Sequence, residues 1–384
     1  MTGGRHEDSG LGPNAHLIGA TDARSRLSTP ALVLDLDLFD SNVASMAAFA
    51  REAGVALRPH AKTHKCVEIA RQQIAAGATG VCCATLGEAE VMAAGGVRDI
   101  LITSPLVTPE KIARLVALAA KVDHLAVVVD HPRNVQDLAV AAQAQRQVLG
   151  VLVDLDAGMR RIGAAGLPDC VKLARQCADS PSLAFEGLQF YTAFAQHIEG
   201  FADRKANVSR YLDKLRRACQ ELHRLRCPAA VVTGGGTGTF ELEGRSGVVN
   251  ELQPGSYVFL DSQYRALDVG EGGVQFEESL FVQAAVVSVN HPGHITVDAG
   301  LKQFALDGGR PSVVRGADPG ASFDYMGDEH GRVTLPRGAV RPDLGARIEF
   351  RIPHCDPTIN LYNQIHAFRG EALIDIWRVD ARGS

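Results

Sequence analysis

Nine consecutive residues, Leu57-Arg58-Pro59-His60-Ala61-Lys62-Thr63-His64-Lys65, carry five potential cations: Arg58, His60, Lys62, His64 and Lys65. They follow the apolar Val55-Ala56-Leu57 and precede Val67-Glu68-Ile69-Ala70, so the segment reads as a strand end running into a loop held against the protein body. A lysine among cationic neighbours and partly removed from water has its pKa pushed down, and an unprotonated amine forms a Schiff base at neutral pH. The segment reads equally as a basic loop that binds an anion or faces water.

Other segments carry chemistry of their own. Thr233-Gly234-Gly235-Gly236-Thr237-Gly238-Thr239 follows the apolar Ala229-Ala230-Val231-Val232. Glycines there let backbone N–H groups converge on a phosphate, and the threonine hydroxyls add donors, although many glycine runs are only turns. Gly158-Met159-Arg160-Arg161-Ile162-Gly163 offers an arginine pair, which is otherwise a surface feature. Tyr191 either lines a site or is a core aromatic with a partnered hydroxyl. His197 stands six residues on, and a lone histidine is more often structural. His354-Cys355-Asp356 follows Phe350-Arg351-Ile352. On an extended chain i and i+2 share a side, so His354 and Asp356 can grip one metal while Cys355 points away. Imidazole plus carboxylate favours Mn²⁺ or Mg²⁺. A bare pair of this kind is common and usually means nothing.

The elements that must position these residues alternate. Strands are expected near 55–58, 80–84, 100–104, 125–130, 148–154, 185–191, 229–233 and 256–260, after a first strand at 29–37. Helical patterns fill 66–76, 86–94, 109–121, 132–146, 168–178 and 200–225, with Pro109, Pro132 and Pro168 placed where a first turn tolerates proline. The order predicts a (β/α)8 TIM-type barrel, with the chemistry at the C-terminal strand ends. A doubly wound open sheet is the alternative, but no GxGxxG turn stands near the front. Beyond about Arg265 short strands separated by Gly, Pro and Asp turns predict a mainly antiparallel β domain. The expected organisation is a flexible leader at 1–28, a barrel at 29–265 and the β domain at 266–384, with the N-terminal strand a candidate to join the latter.

The chain has 384 residues, 46% hydrophobic and 22% charged, with a net charge of -5. That length suits two domains, and the charge gives no reason to expect nucleic acid or an anionic membrane as a partner. No apolar run approaches the roughly 18 residues a membrane span needs. The leader has no apolar core, so it is not read as a signal peptide. Eight cysteines (66, 82, 83, 170, 177, 219, 227 and 355) form no CxxC pair, which fits buried thiols in a reducing cytoplasm.

Arg58-Pro59-His60-Ala61-Lys62-Thr63-His64-Lys65 resembles the cofactor-lysine segment of the D-threonine aldolase and D-serine dehydratase family, pyridoxal-phosphate enzymes of the alanine-racemase fold type. The resemblance runs from about Thr29 to Arg382. It implies that Lys62 holds the cofactor and that Thr233, Gly235, Gly236 and Thr237 grip its phosphate, with Ser256 and Tyr257 of a second matching segment nearby. It further implies that Arg161 contacts the ring's phenolate oxygen, that Tyr191 packs beside the cofactor, and that His197 takes a proton from the substrate hydroxyl. The stretch from His354 to Leu361 is similar to the family's metal segment, in which dehydratases carry cysteine where Asp356 stands. The implied activity is retro-aldol cleavage of D-3-hydroxy amino acids, of the D-threonine or 3-hydroxyaspartate type, to glycine and an aldehyde. Dehydration to a 2-oxo acid and ammonia is the alternative, and a cofactor-carrying barrel without turnover a third. A homodimer is implied as well. Thr192-Ala193 departs from the His-Gly that many members have after the tyrosine, which bears on the preferred substrate.

Overall fold

The computed structural model describes residues 10–384. The chain divides into two compact units. One comprises Val43–Tyr257 with Ala266–Gln275 and Ser384; the other comprises the described part of Met1–Asn42 with Val258–Arg265 and Phe276–Gly383.

The first strand, β1 (Ala31–Asp35), belongs to the second of these units. The parallel sheet is built from β2 (Ala56–Leu57), β3 (Val81–Cys83), β4 (Asp99–Ile102), β5 (His124–Val129), β6 (Leu149–Asp154), β7 (Leu183–Phe190), β8 (Val231–Gly234) and β9 (Glu251–Leu252). Its order is β2-β9-β8-β7-β6-β5-β4-β3. The ends of that order meet. Thr79 N–H donates to Leu57 O at 2.8 Å, Cys82 N–H donates to Pro59 O at 2.8 Å, and His60 bridges to Cys82 in parallel register. The sheet is therefore a closed barrel, as the alternation predicts, and not an open doubly wound sheet. Its seam is the strand that leads to Lys62.

The intervening helices form for local reasons. In the helix Leu86–Ala94 the Thr85 hydroxyl accepts from Glu88 N–H at 3.1 Å, and Glu88 reaches back to Ala84 N–H at 2.7 Å, a near relative of the capping box. Pro109, Pro132 and Pro168 do lie in first helical turns. Cys82, Leu101, Ala126, Val128 and Leu152 form an apolar cluster of buried residues from four neighbouring strands. Beside it runs a charged cluster. Arg58 donates to Glu251 at 3.0 Å and to Asp99 at 2.6 Å, and His124 touches both Asp99 and Glu186. Gly150 makes room for it, since a Cβ there would stand 2.2 Å from Glu186 Oε1.

The expected eighth strand at 256–260 is a correction. The strand is Glu251–Leu252, while Ser256–Val258 is a 3-10 turn. Tyr257, Val258 and Phe259 are buried, but Leu260 has φ 49°, which no strand accommodates. A charged residue in β9 concealed the true strand, because Glu251 points at Arg58 and not at solvent.

In the other unit β1 pairs antiparallel with β10 (Leu280–Ser288) and parallel with the strand Gln364–Arg369. The sheet has nine strands, and all its other pairings are antiparallel. The strands Ser312–Arg315, Ser322–Tyr325 and Gln364–Arg369 carry little sequence signal. Polar and charged residues interrupt their apolar pattern. Of the expected leader, residues 1–9 lie outside the described residues. Residues 10–28 pack: Leu17, Ala23 and Leu27 are buried with Val33, Phe368, Leu373 and Ile376. Asn14 exchanges two hydrogen bonds with the Ser28 backbone, at 3.1 and 2.7 Å. Three apolar anchors among glycines and charges hold this stretch, which departs from a flexible leader. All eight cysteines are free thiols.

Candidate active site

Parallel strands deliver their C-terminal ends to one rim, and sheet order decides which loops are neighbours. Lys62 follows β2, Gln253–Tyr257 follows β9, Thr233–Thr239 spans the end of β8, Tyr191 follows β7 and Arg161 follows β6. In the order β2-β9-β8-β7-β6 these five are consecutive. Residues spread over almost 200 positions of sequence thus share one arc of the barrel mouth.

Lys62 sits in a 3-10 turn, Ala61–Thr63. The Thr103 hydroxyl donates to Cys83 O at 3.2 Å and so accepts from His60 Nε2 at 3.1 Å. That leaves His60 Nδ1 to accept Lys62 N–H at 3.4 Å. His60 N–H donates to Pro254 O at 3.1 Å, and a Cβ on Gly255 would stand 2.3 Å from Thr63 Oγ1. The lysine turn is therefore clamped between β4 and the segment after β9. The neighbouring cations do not act as a group. Arg58 is committed to Glu251 and Asp99, and Lys65 to Glu88 at 3.4 Å and Ser384 O at 2.9 Å. Two of the cations in the segment are thus paired with carboxylates.

The glycine-rich loop is buried. Gly235 has φ 77°, a left-handed turn that only glycine enters without strain. Thr233 is fully buried and accepts from Gln253 Nε2 at 2.9 Å. The Thr237 hydroxyl is buried with no hydrogen-bond partner. An unsatisfied buried hydroxyl in such a loop is what a site for a phosphate requires, so these residues fit the cofactor that the resemblance implies. Ser256, in the segment after β9, is buried as well, and the Tyr257 hydroxyl accepts from Gln73 at 3.1 Å.

Arg161 lies 5.9 Å from the Tyr191 ring centroid. The loop before it is shaped by Asp156, which accepts from Gly158 N–H at 3.0 Å and Arg160 N–H at 2.9 Å. A hollow here is lined by Asp154, Asp156, Arg161, Gln189 and Tyr191. Asp154 ends β6 and is 5% exposed. Burial pushes its carboxyl up to about 7, against a hydrogen bond from Gln189 that lowers it. His197 closes the short 3-10 helix Ala193–His197 and is exposed. Thr192 is fully buried, and its hydroxyl donates to Glu243 at 3.0 Å. The departure from His-Gly is thus taken up by an internal contact of the Thr192 side chain.

In the sheet unit the extended reading of 354–356 is corrected. His354 is the N-cap of a short helix, Cys355–Ile359, and Asp356 lies in its first turn. Cys355 is buried, and its N–H donates to Asp261 at 2.8 Å. Pro357 suits a first helical turn and favours this over continuation of the strand. His354 Nδ1 lies 2.8 Å from Asp307 Oδ2. A carboxylate only accepts, so Nδ1 carries the proton, and in the neutral ring Nε2 keeps the lone pair. That is the arrangement of a metal-binding histidine with its outer carboxylate. Among the described residues no group of three or more His, Cys, Asp or Glu converges as a metal site. His354 and Asp356 offer an imidazole nitrogen and a carboxylate, donor types that suit a divalent ion, at the start of one short helix.

The sequence reading places Asp154, Gln189 and Gln253 in informative segments without a role, and leaves out Gln196, Glu243, Asp261 and Asp307. Asp154 ends an apolar run at a strand end, which is a usable signal. The others have no local signature, because their partners are remote in sequence.

A closed parallel barrel with a lysine, a glycine-rich loop, a tyrosine and an arginine on one arc, plus a mixed sheet unit, defines the alanine-racemase class of fold. The alanine racemase N-terminal domain model matches residues 34–263, and the putative serine dehydratase domain model matches 279–368. A D-threonine aldolase from Arthrobacter sp is 40% identical over 94% of both chains. A 3-hydroxy-D-aspartate aldolase from Paracoccus denitrificans is 36% identical over 94% of this chain and 93% of its own. The crystal structure of a D-threonine aldolase from Filomicrobium marinum superposes with a TM-score of 0.90 at 38% identity, covering 94% of this chain and 97% of that one. A D-threo-3-hydroxyaspartate dehydratase from Delftia sp. is more distant, at 27% identity over 93% of this chain and 98% of its own. The chain belongs to the D-threonine aldolase family of pyridoxal-phosphate enzymes.

Proposed function

We propose that this enzyme cleaves D-3-hydroxy amino acids, of the D-threonine or 3-hydroxyaspartate type, to glycine and an aldehyde. The observation that carries the proposal is the single arc of strand ends bearing Lys62, the glycine-rich loop, Tyr191 and Arg161, in a chain whose aldolase relatives are more similar than its dehydratase relative.

Pyridoxal phosphate, when bound, supplies an electron sink for the pair released from a bond to the substrate Cα. Lys62 is the residue assigned to hold it. Thr233, Gly235, Gly236, Thr237, Ser256 and Tyr257 are assigned to its phosphate, Arg161 to the ring oxygen and Tyr191 to the ring's flank. His354 and Asp356 are assigned to a divalent ion, Mn²⁺ or Mg²⁺, which supplies Lewis acidity. His197 takes the proton from the substrate 3-hydroxyl, which lets the Cα–Cβ bond break and the aldehyde leave. An exposed imidazole at the rim suits exchange of that proton with water.

Asp356 separates the two sister reactions in this proposal. A hard carboxylate ligand favours Mn²⁺ or Mg²⁺ over Zn²⁺ and so the aldol branch. We further propose a cytoplasmic homodimer. No helix among the described residues is long and apolar enough to cross a membrane. Product analysis with D-threonine and with 3-hydroxyaspartate tests the function. Glycine plus aldehyde supports it; stoichiometric ammonia and 2-oxo acid without glycine replaces it with dehydration.

A further inference from the structure

Glu243 lies in the short helix Phe240–Gly244 and is fully buried, at 0% exposure. None of the roles above uses it. Its Oε2 accepts from the Thr239 hydroxyl at 2.7 Å and its Oε1 from the Thr192 hydroxyl at 3.0 Å. The hydrogen bonds from these two hydroxyls favour its ionised form against burial. A buried carboxylate is costly and persists only where hydrogen bonds or a cation hold it.

The network continues outward from the two threonines. The Thr239 hydroxyl accepts from Gln196 Nε2 at 2.7 Å and from Gly236 N–H at 3.2 Å. Gln196 Oε1 accepts from Gly238 N–H at 2.9 Å. There is no slack in this packing. A Cβ on Gly235 would stand 2.6 Å from Glu243 Oε2, and one on Gly236 would stand 2.4 Å from Gln196 Oε1. One carboxylate thus ties the loop 234–239 to the segment 192–197, which follows Tyr191 and ends at His197. Within the loop Thr233 and Thr239 are engaged by the protein, and the Thr237 hydroxyl is the one buried without a partner.

We propose that Glu243 is a positioning residue that holds the glycine-rich loop, through Thr239, in the form that receives the cofactor phosphate, and that fixes the adjoining 192–197 segment through Thr192. The inference rests on the reading of 233–239 as the phosphate loop. The physical reason is directional. An ionised carboxylate only accepts, so both threonine hydroxyls must donate inward. Thr239 then has its lone pairs left for Gly236 N–H and Gln196. A proton on Glu243, or an amide in its place, makes one of its two atoms a donor, and one threonine must turn round. Burial pushes the Glu243 carboxyl up to about 7, against the hydrogen bonds from Thr239 and Thr192, so this rearrangement falls in mild acid.

The test is titration of the cofactor-stripped full-length protein with pyridoxal phosphate, read by visible absorbance from pH 6 to 8.5. Glu243→Gln is expected to weaken binding about 10- to 100-fold at pH 8, the scale of one mispaired buried polar group. The gap between wild type and variant is expected to shrink toward pH 6, where the wild-type carboxyl takes up its proton. A purely structural defect would not produce that convergence. Glu243→Gln with Thr239→Val is expected to bind no worse than Thr239→Val alone, since both act through one contact. If Glu243→Gln does not fold, Thr239→Val carries the test with the same expected loss. Wild-type affinity in the variants, or full additivity in the double variant, overturns the assignment. Wild-type protein that binds no pyridoxal phosphate removes the phosphate-loop reading itself, and the inference with it.

Discussion

His124 Nδ1 lies 2.5 Å from Asp99 Oδ1, and its Nε2 lies 2.8 Å from Glu186 Oε1. An imidazole between two carboxylates is a cation held by both nitrogens. Its pKa is raised to about 10, first by the hydrogen bond to Asp99, then by that to Glu186, against burial, which lowers it. The folded value lies above the unfolded one of roughly 6.5. The stability it contributes is therefore fully present below about pH 6.5 and is lost as pH rises through the window up to 10. Thermal unfolding of the wild type is expected to soften from pH 7 to pH 10, and His124→Gln to flatten that dependence. An unchanged pH profile in the variant would show that the imidazole is not charged in the fold.

Lys62 and Lys65 stand three residues apart and are assigned different parts. Lys65 faces Glu88 and the Ser384 carbonyl. Lys62→Ala is expected to abolish the visible absorbance of the lysine-bound cofactor, and Lys65→Ala to keep it. Retained absorbance in the Lys62 variant refutes the proposed role.

The proposed metal and cofactor ligands are different side chains. Chelation is expected to abolish turnover and leave the cofactor absorbance unchanged, with Mn²⁺ or Mg²⁺ restoring activity. Asp307→Ala removes the acceptor from His354 Nδ1 and is expected to weaken Mn²⁺ binding about 10- to 100-fold, measured by calorimetry. Full activity in metal-free protein excludes the role given to His354 and Asp356.

His197 is the proposed base toward the substrate hydroxyl. His197→Ala is expected to lower kcat on the order of 10²–10⁴-fold while the products stay glycine and aldehyde. A loss below about threefold would move the proton transfer to another group.

What the sequence determined by itself was local. Apolar runs of strand length and prolines at first turns are properties of a few adjacent residues, so the parallel barrel, its helices and the position of Lys62 at a strand end were legible. The family segments carried Arg161, Tyr191 and the glycine-rich loop by their residue types. The tertiary structure alone decided the partners. Arg58 meets Glu251 across 193 positions, a contact that pairs one cation of the segment with a carboxylate of the eighth strand, β9. Glu243 reads in sequence as one more acidic residue of a polar turn, yet the fold buries it between Thr192 and Thr239. His354 and Asp356 read as extended until Asp261 is seen capturing the Cys355 N–H from 94 residues away. Burial and hydrogen-bond pairing depend on segments that meet only after folding, and no window of neighbouring residues contains them.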